Sequence, residues 1–365
     1  MGNPPDLPHP LEHVLRIAAD AVLYFDPIGV GVLEAFCAHQ LFELGADGLL
    51  ELIESLFPQW RLFHHATTVA ASVVPVVASW RMAATMRPML ARGLAIDLDG
   101  TLLGPDEQIS PRNRAALVAA RAAGLHIVIA TARWYQIAQR VASELSDRHR
   151  LIDGPAIACL GAQVRRLSDR VDLLDIRLPA EFAVELYDIV DGERCIVWAA
   201  LDDEIVMRMD GDAQVALPGL RQLASLEPIR GLAPRMLLVQ GSATCARVER
   251  QLAPAWSERV RFVESISSHG KRILTLTATG ADKGTALRAA CADLGIEPSE
   301  MIAFGDAEND LPMFSVAGAS VAMGQASDAV CTAASFVSAK NVDDGVAVAI
   351  ERLLADGHLP SSAQR

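Results

Sequence analysis

From Gly93 onward the chain alternates short apolar runs with amphipathic segments, and three of the runs stop abruptly at carboxylate or hydroxyl residues. Strands of a parallel sheet are buried on both faces, so they read as continuous apolar runs, and each needs a helical crossover. The first run, Leu94-Ala95-Ile96, ends in Asp97-Leu98-Asp99-Gly100-Thr101-Leu102. Residues two apart in a strand project to the same side, so Asp97 and Asp99 point together off the end of a buried strand. Two carboxylates that close repel unless a cation or a shared proton relieves them. Metal-dependent chemistry is one reading of this stretch; a solvated acidic turn is the other.

The later runs supply partners. Ser110 and Pro111 make an N-cap and first-turn pair for a helix closed by Gly124. A strand over Leu125 to Ala130 then ends in Thr131-Ala132-Arg133, and one over Met301 to Phe304 ends in Gly305-Asp306-Ala307-Glu308-Asn309-Asp310. Shorter strands are expected at Ser320 to Met323 and Ser335 to Val337. In open α/β sheets ligands bind at the carboxyl ends of the strands. Carboxylates from separate strands converging there suit a hard cation such as Mg²⁺, which binds alongside substrate phosphate. A hydroxyl and backbone amides suit an oxyanion. The missing positive charge is supplied by Lys283, in the first turn of a helix running to about Leu294. A lysine there opposes the helix dipole and asks for an anionic partner.

Together these segments resemble the haloacid dehalogenase superfamily of phosphatases, in its Cof-like branch, over about Gly93 to Leu354. The motifs are Asp97-Leu98-Asp99-Gly100-Thr101-Leu102, Thr131-Ala132-Arg133, Lys283-Gly284, and Gly305 to Asp310; Val321 to Ala326 and Asn341 to Val346 also fit that branch. The resemblance implies a Rossmann-like parallel α/β core with an α/β cap domain inserted between the second and third motifs. It implies that Asp97 attacks phosphorus to form an aspartyl-phosphate and that Asp99 serves as general acid, then base. Thr131, the Ala132 amide and Lys283 would hold the phosphoryl group. Mg²⁺ would be bound by Asp97, Asp306 and the Asp99 carbonyl, with Thr101, Asn309 and Asp310 supporting. Two positions depart from the family pattern: Ala132 replaces a glycine, which matters only if that position needs φ > 0, and Leu160 replaces an asparagine before Gly161-Ala162.

The division expected along the 365 residues is an N-terminal helical extension over 1–90, core over 91–162 and 273–356, an inserted cap over 163–272, and a tail over 357–365. Cap strands are expected at Cys195 to Ala200, Glu204 to Met209 and Met236 to Gln240. Cap helices are expected at Ala180 to Val190, near Leu217 to Ser225, and at Ala243 to Ala253. Arg208, Arg235, His269 and Lys271 could reach an anionic leaving group, but the preferred reading makes them ordinary surface residues. The default substrate is a sugar phosphate or another small phosphorylated metabolite.

A net charge of -13 argues against nucleic acid, whose binding rests on phosphate neutralisation. Six scattered cysteines without a Cys-x-x-Cys pair point to reduced thiols and a cytoplasmic location. Met1 to Pro10 lacks the basic-then-apolar order of a signal peptide. Ala66 to Trp80 is almost wholly small or apolar, but as a helix it spans about 22 Å, short of the ~30 Å hydrocarbon core. Trp60 and Trp80 with nearby arginines leave peripheral membrane contact by 60–81 as a second reading; packing against the protein or a further subunit, as in a homo-oligomer through 1–90, is preferred. Two competing functions are a phosphosugar mutase and a non-catalytic scaffold acting through the helical extension.

Overall fold

The computed structural model describes residues 91–146, 151–209, 215, 219–266 and 270–356. The readings for 1–90 (helices, membrane contact, oligomer formation), for the 357–365 tail and for His269 lie outside the described residues. No described helix is long and apolar enough to cross a membrane.

A five-stranded parallel sheet carries the expected motifs. Its strands are β1 (Gly93–Ile96), β2 (His126–Ile129), β12 (Met301–Gly305), β13 (Ala319–Ala322) and β14 (Phe336–Val337). Their order is β14-β13-β12-β1-β2, with β1 pairing in parallel to β12 on one side and β2 on the other. The chain therefore leaves β1 in one direction and later returns to its opposite side, which makes the end of β1 the topological switch point where such sheets open a crevice.

Alternate side chains on β1 feed two cores. Leu94 and Ile96 join Leu117 of helix α1 (Pro111–Ala122), Val141 of α2 (Tyr135–Ser146) and Ile350 of α8 (Gly345–Asp356). Ala95 joins Leu287 of α5 (Lys283–Leu294), Phe314 of α6 (Leu311–Val316) and Val330 of α7 (Asp328–Ala333). The result is a three-layer α/β/α sandwich. Burial of both strand faces is why β1 reads as an unbroken apolar run, each large aliphatic side chain contributing about 1.5–3 kcal/mol. The start of α1 forms as expected, with the Ser110 hydroxyl accepting from the Asn113 amide.

A second, six-stranded sheet comes from the insertion: β6 (Ile196–Ala200), β7 (Ile205–Arg208), β8 (Leu220–Leu223), β9 (Met236–Gln240), β10 (Val260–Ile266) and β11 (Arg272–Ala278), in the order β10-β11-β9-β6-β7-β8. One face is covered by α3 (Ala180–Val190) and α4 (Ser242–Trp256), whose Phe182, Leu186 and Val248 pack on Val197, Val239 and Leu274. The helix expected near Leu217 to Ser225 is instead, over Leu220–Leu223, strand β8, paired in parallel with β7. Leu, Arg and Gln favour helices, but here the open edge of β7 takes their backbone groups and Glu204 takes the Arg221 guanidinium at 2.7 Å. The six-stranded sheet also extends to Ala278, past the residue 272 at which the sequence reading closes the insertion. A small antiparallel sheet, β3 (Ala156–Ala158), β4 (Gln163–Arg165) and β5 (Asp172–Asp175), links the two; β3 is the strand leading into Leu160-Gly161-Ala162, while β4 and β5 have no counterpart in the sequence reading.

Candidate active site

Asp97 is the first residue past β1, its amide donating to the Phe304 carbonyl of β12 at 3.0 Å. Its side chain is almost fully buried and meets Lys283, whose Nζ donates to Asp97 Oδ1 at 2.6 Å and to Asp310 Oδ1 at 2.6 Å. Lys283 is the first residue of α5 and is completely buried. It is placed by its neighbours: Asp282 caps the helix by accepting from the Gly284 and Thr285 amides, each at 2.8 Å. Gly161 presses a backbone turn against that same cap. It sits at φ 95°, and a methyl group there would lie 2.2 Å from the Asp282 carbonyl oxygen, so only glycine permits the approach.

Asp97, Asp306 and Asp310 each offer a carboxylate oxygen within 4.8 Å of the others. The three are not equivalent. Asp310 is saturated: one oxygen holds Lys283, and the other accepts from the amides of Asp306 at 3.0 Å and Ala307 at 3.1 Å. Asp306 is more open, with a weak contact from Thr101 Oγ1 at 3.4 Å and one from Gln325 Nε2 at 3.5 Å. Gly100, at φ 74°, lets the first-motif loop close on Asp306; a Cβ there would sit 2.2 Å from Asp306 Oδ2. Gln325 also donates to the Gly100 carbonyl at 2.6 Å and accepts from the Asn341 amide at 2.9 Å, while Asn341 Nδ2 reaches the Leu103 carbonyl at 3.1 Å. The first-motif loop is thus held from the far end of the chain.

Three carboxylates around one ammonium leave an excess of negative charge. Burial, with Asp310 and Asp306 adding to it, pushes Asp97 up to about 8 against the opposing pull of Lys283. Burial alone would push Lys283 down; Asp310 and Asp97 outweigh it and hold the ammonium above its ordinary value. Burial and Asp310 raise Asp306 to about 6. The cluster therefore holds protons, or a substitute cation, more tightly than separate groups would. Asn309, which precedes Asp310 in the chain, has a buried side-chain oxygen with no hydrogen-bond partner among the described residues. Hard oxygen donors, excess negative charge and an orphaned amide oxygen fit a divalent cation such as Mg²⁺.

Asp99 points elsewhere. Its carboxylate is gripped by Arg133 through Nε at 2.9 Å and Nη2 at 2.5 Å, and Arg133 also reaches Glu107 at 3.1 Å. Thr131 is buried at the end of β2, its Oγ1 accepting from the Arg133 amide at 3.0 Å, which leaves its proton for another acceptor. Ala132 is not among the left-handed residues, so its methyl group adds no backbone strain. Leu160 is left-handed, at φ 58°. That costs roughly 1–2 kcal/mol, and burying the leucine side chain among apolar neighbours returns about 1.5–3 kcal/mol, so the asparagine is not needed for folding.

Arg208 and Arg235 are not surface residues. Both are buried, Arg208 donating to the Asp191, Glu193 and Cys195 carbonyls and Arg235 to Asp175, Asp172 and the Leu201 and Asp202 carbonyls. A planar guanidinium with five donors can satisfy several carbonyls at once, which is what lets an arginine be buried here. Lys271 is exposed.

The model of the haloacid dehalogenase-like hydrolases matches residues 94–350. The chain belongs to that family. The 5-amino-6-(5-phospho-D-ribitylamino)uracil phosphatase YwtE of Bacillus subtilis is 27% identical over 294 residues, covering 72% of this chain and 98% of the relative. The pyridoxal phosphate phosphatase YbhA of Escherichia coli is 29% identical over 283 residues, covering 71% and 97%. A solved haloacid dehalogenase-like hydrolase from Bacteroides thetaiotaomicron superposes with a TM-score of 0.62 at 26% identity, covering 72% of this chain and 99% of that one. The chain is accordingly an enzyme of the phosphatase type, a phosphoric monoester hydrolase. Arg133, Gln325 and Asn341 have no role in the sequence reading, though all three lie in segments it singles out. What it lacks is the spatial fact that these segments close around Gly100 and Asp99.

Proposed function

We propose that this haloacid dehalogenase-type phosphatase is Mg²⁺-dependent, passes through an aspartyl-phosphate on Asp97, and acts on a small phosphorylated metabolite. The observation that carries the reading is the buried Asp97–Lys283–Asp310 chain, with both contacts at 2.6 Å. Lys283 orients one Asp97 oxygen and leaves the other unengaged among the described residues, as a nucleophile requires. The same ammonium and the Thr131 hydroxyl stand ready to stabilise charge on the transferring phosphoryl group. Asp97, Asp306 and the Asp99 carbonyl are the proposed ligands of Mg²⁺, which would supply charge neutralisation at the phosphoryl oxygens. Asp310, with both oxygens occupied, is assigned the task of holding Lys283 and the Asp306 loop. Asp99 is the proposed acid and base, protonating the leaving oxygen and then taking a proton from water; to do so it must exchange the Arg133 pair for a proton. The six-stranded sheet with α3 and α4 is the proposed cap, excluding water during transfer.

The named relatives support the substrate class: a phospho-ribitylaminouracil phosphatase and a pyridoxal phosphate phosphatase both carry phosphorylated small molecules in their names. The test is hydrolysis of p-nitrophenyl phosphate by the full chain with Mg²⁺. Activity should vanish in EDTA, return on adding Mg²⁺, and be absent from Asp97→Asn. Full turnover by Asp97→Asn would overturn the mechanism.

A further inference from the structure

The face of the cap sheet turned away from α3 and α4 is defined by its register. Trp198 on β6 lies opposite Leu238 on β9, Leu238 opposite Thr275 on β11, and Thr275 opposite Val263 on β10. Opposed residues share a face, so these four form one row. All four are only half-buried, whereas the adjacent row through Val197, Val239 and Leu274 is sealed beneath the helices. The half-open row faces the catalytic end: Leu238, with its neighbours Ala200 and Met236, packs into the core cluster, and Trp198 stacks on Trp134. Those two rings lie 5.4 Å apart between centroids and 29° from parallel.

Trp134 follows Arg133, whose guanidinium grips the Asp99 carboxylate, so the pair adjoins the group that must meet the leaving oxygen. The stack is held from both sides. Gln136 Nε2 donates to the Asp203 carbonyl at 2.9 Å, and Arg165 forms an ion pair with the Asp203 carboxylate, pinning the turn after β6 to the start of α2. Among the described residues no lysine or arginine stands on the Trp198 row; Arg208 and Arg235 are buried elsewhere, and Arg261 on this face serves the Thr279 and Ala281 carbonyls. An aromatic, half-open row without a basic side chain favours a flat ring and offers a second phosphate no partner of its own.

We propose that Trp134 and Trp198 form a selectivity element that stacks the planar, uncharged ring of a phosphomonoester's leaving group. This rests on the phosphatase reading and narrows its substrate class: ring-bearing monophosphates are preferred over acyclic polyol phosphates and over bisphosphates. The test compares kcat/KM of the full chain with Mg²⁺ for pyridoxal phosphate, glycerol phosphate and fructose bisphosphate. The ring substrate should lead by about tenfold or more. Trp198→Leu should cut the ratio of ring to acyclic kcat/KM about tenfold, through KM, and Trp198→Phe should keep most of it. In parallel, pyridoxine should quench tryptophan fluorescence of Asp97→Asn, and adding Trp198→Leu should abolish that quenching. Equal losses on ring and acyclic substrates, or quenching indifferent to Trp198, overturn the inference while leaving the phosphatase reading intact. Absence of turnover on every substrate sinks the phosphatase reading, and the quenching result then judges the ring site alone.

Discussion

At the scale of single residues, the centre of this enzyme is one lysine between two carboxylates. Lys283 is fully buried and has its donors shared by Asp97 and Asp310. Removing it leaves uncompensated buried charge, the case in which a broken ion pair is costly. Lys283→Met should lower unfolding free energy by roughly 3–5 kcal/mol in urea titrations. It should also abolish turnover, and Mg²⁺ should recover part of the stability by substituting for the lost charge. An unchanged urea midpoint would mean that Lys283 is not the charge partner described above. Asp99 differs from Asp97 by environment alone: two residues along the chain it is half-exposed and clasped by Arg133. That difference fits the roles proposed for the two, a buried nucleophile and a carboxylate that exchanges protons with a leaving group.

At the scale of elements, the site depends on where a helix starts. Asp282 caps α5 with both side-chain oxygens engaged, Oδ1 by the Gly284 and Thr285 amides and Oδ2 by the Thr285 hydroxyl. Asp282→Ala should destabilise the protein by about 0.5–2 kcal/mol, the usual worth of such a cap. Because the cap sets the first turn, kcat should fall by more than the lost fraction of folded protein. Urea denaturation beside single-turnover kinetics separates the two, and a variant that is less stable yet fully active at folded-protein parity would detach the cap from catalysis. The Gly161 turn bears on the same point, since its glycine is what permits contact with Asp282.

At the scale of the whole molecule, the acidic cluster links stability to pH and, under the proposed function, to Mg²⁺. Asp97 is raised to about 8 and Asp306 to about 6, against an ordinary carboxylate at 3.8. The folded state therefore binds more protons than the unfolded state between those values, and metal-free stability from these groups falls as pH rises from about 4 to 8. Mg²⁺ held as proposed by Asp97 and Asp306 would compete with the same protons. The rise in Tm caused by Mg²⁺ should thus be larger at pH 8.5 than at pH 5.5, measured by calorimetry with and without EDTA. An equal rise at both values would place the cation away from these carboxylates.

The motif-bearing strands were legible because their physics is local. A strand buried on both faces must be apolar, and β1, β2 and β12 are; polar residues at their ends must serve the sheet's open edge. That rule singles out Asp97, Asp99, Thr131, Lys283 and Asp306; the structure gathers Asp97, Lys283 and Asp306 around Asp310 and turns the Asp99 side chain to Arg133 instead. Pairing of sheet edges is not local, and there the reading failed: Leu220–Leu223 became a strand because β7 offered it partners, and β10 and β11 were not seen at all. Burial of Arg208 and Arg235 was equally hidden, since the carbonyls that satisfy them come from distant loops. By itself the sequence determined the parallel α/β core, the family and the identity of the charged groups, because strand burial and motif spacing are written in consecutive residues. Only the tertiary structure decided that Asp310 is saturated, that Arg133 holds Asp99 and that Trp198 meets Trp134, because each is a contact between segments that folding alone brings together.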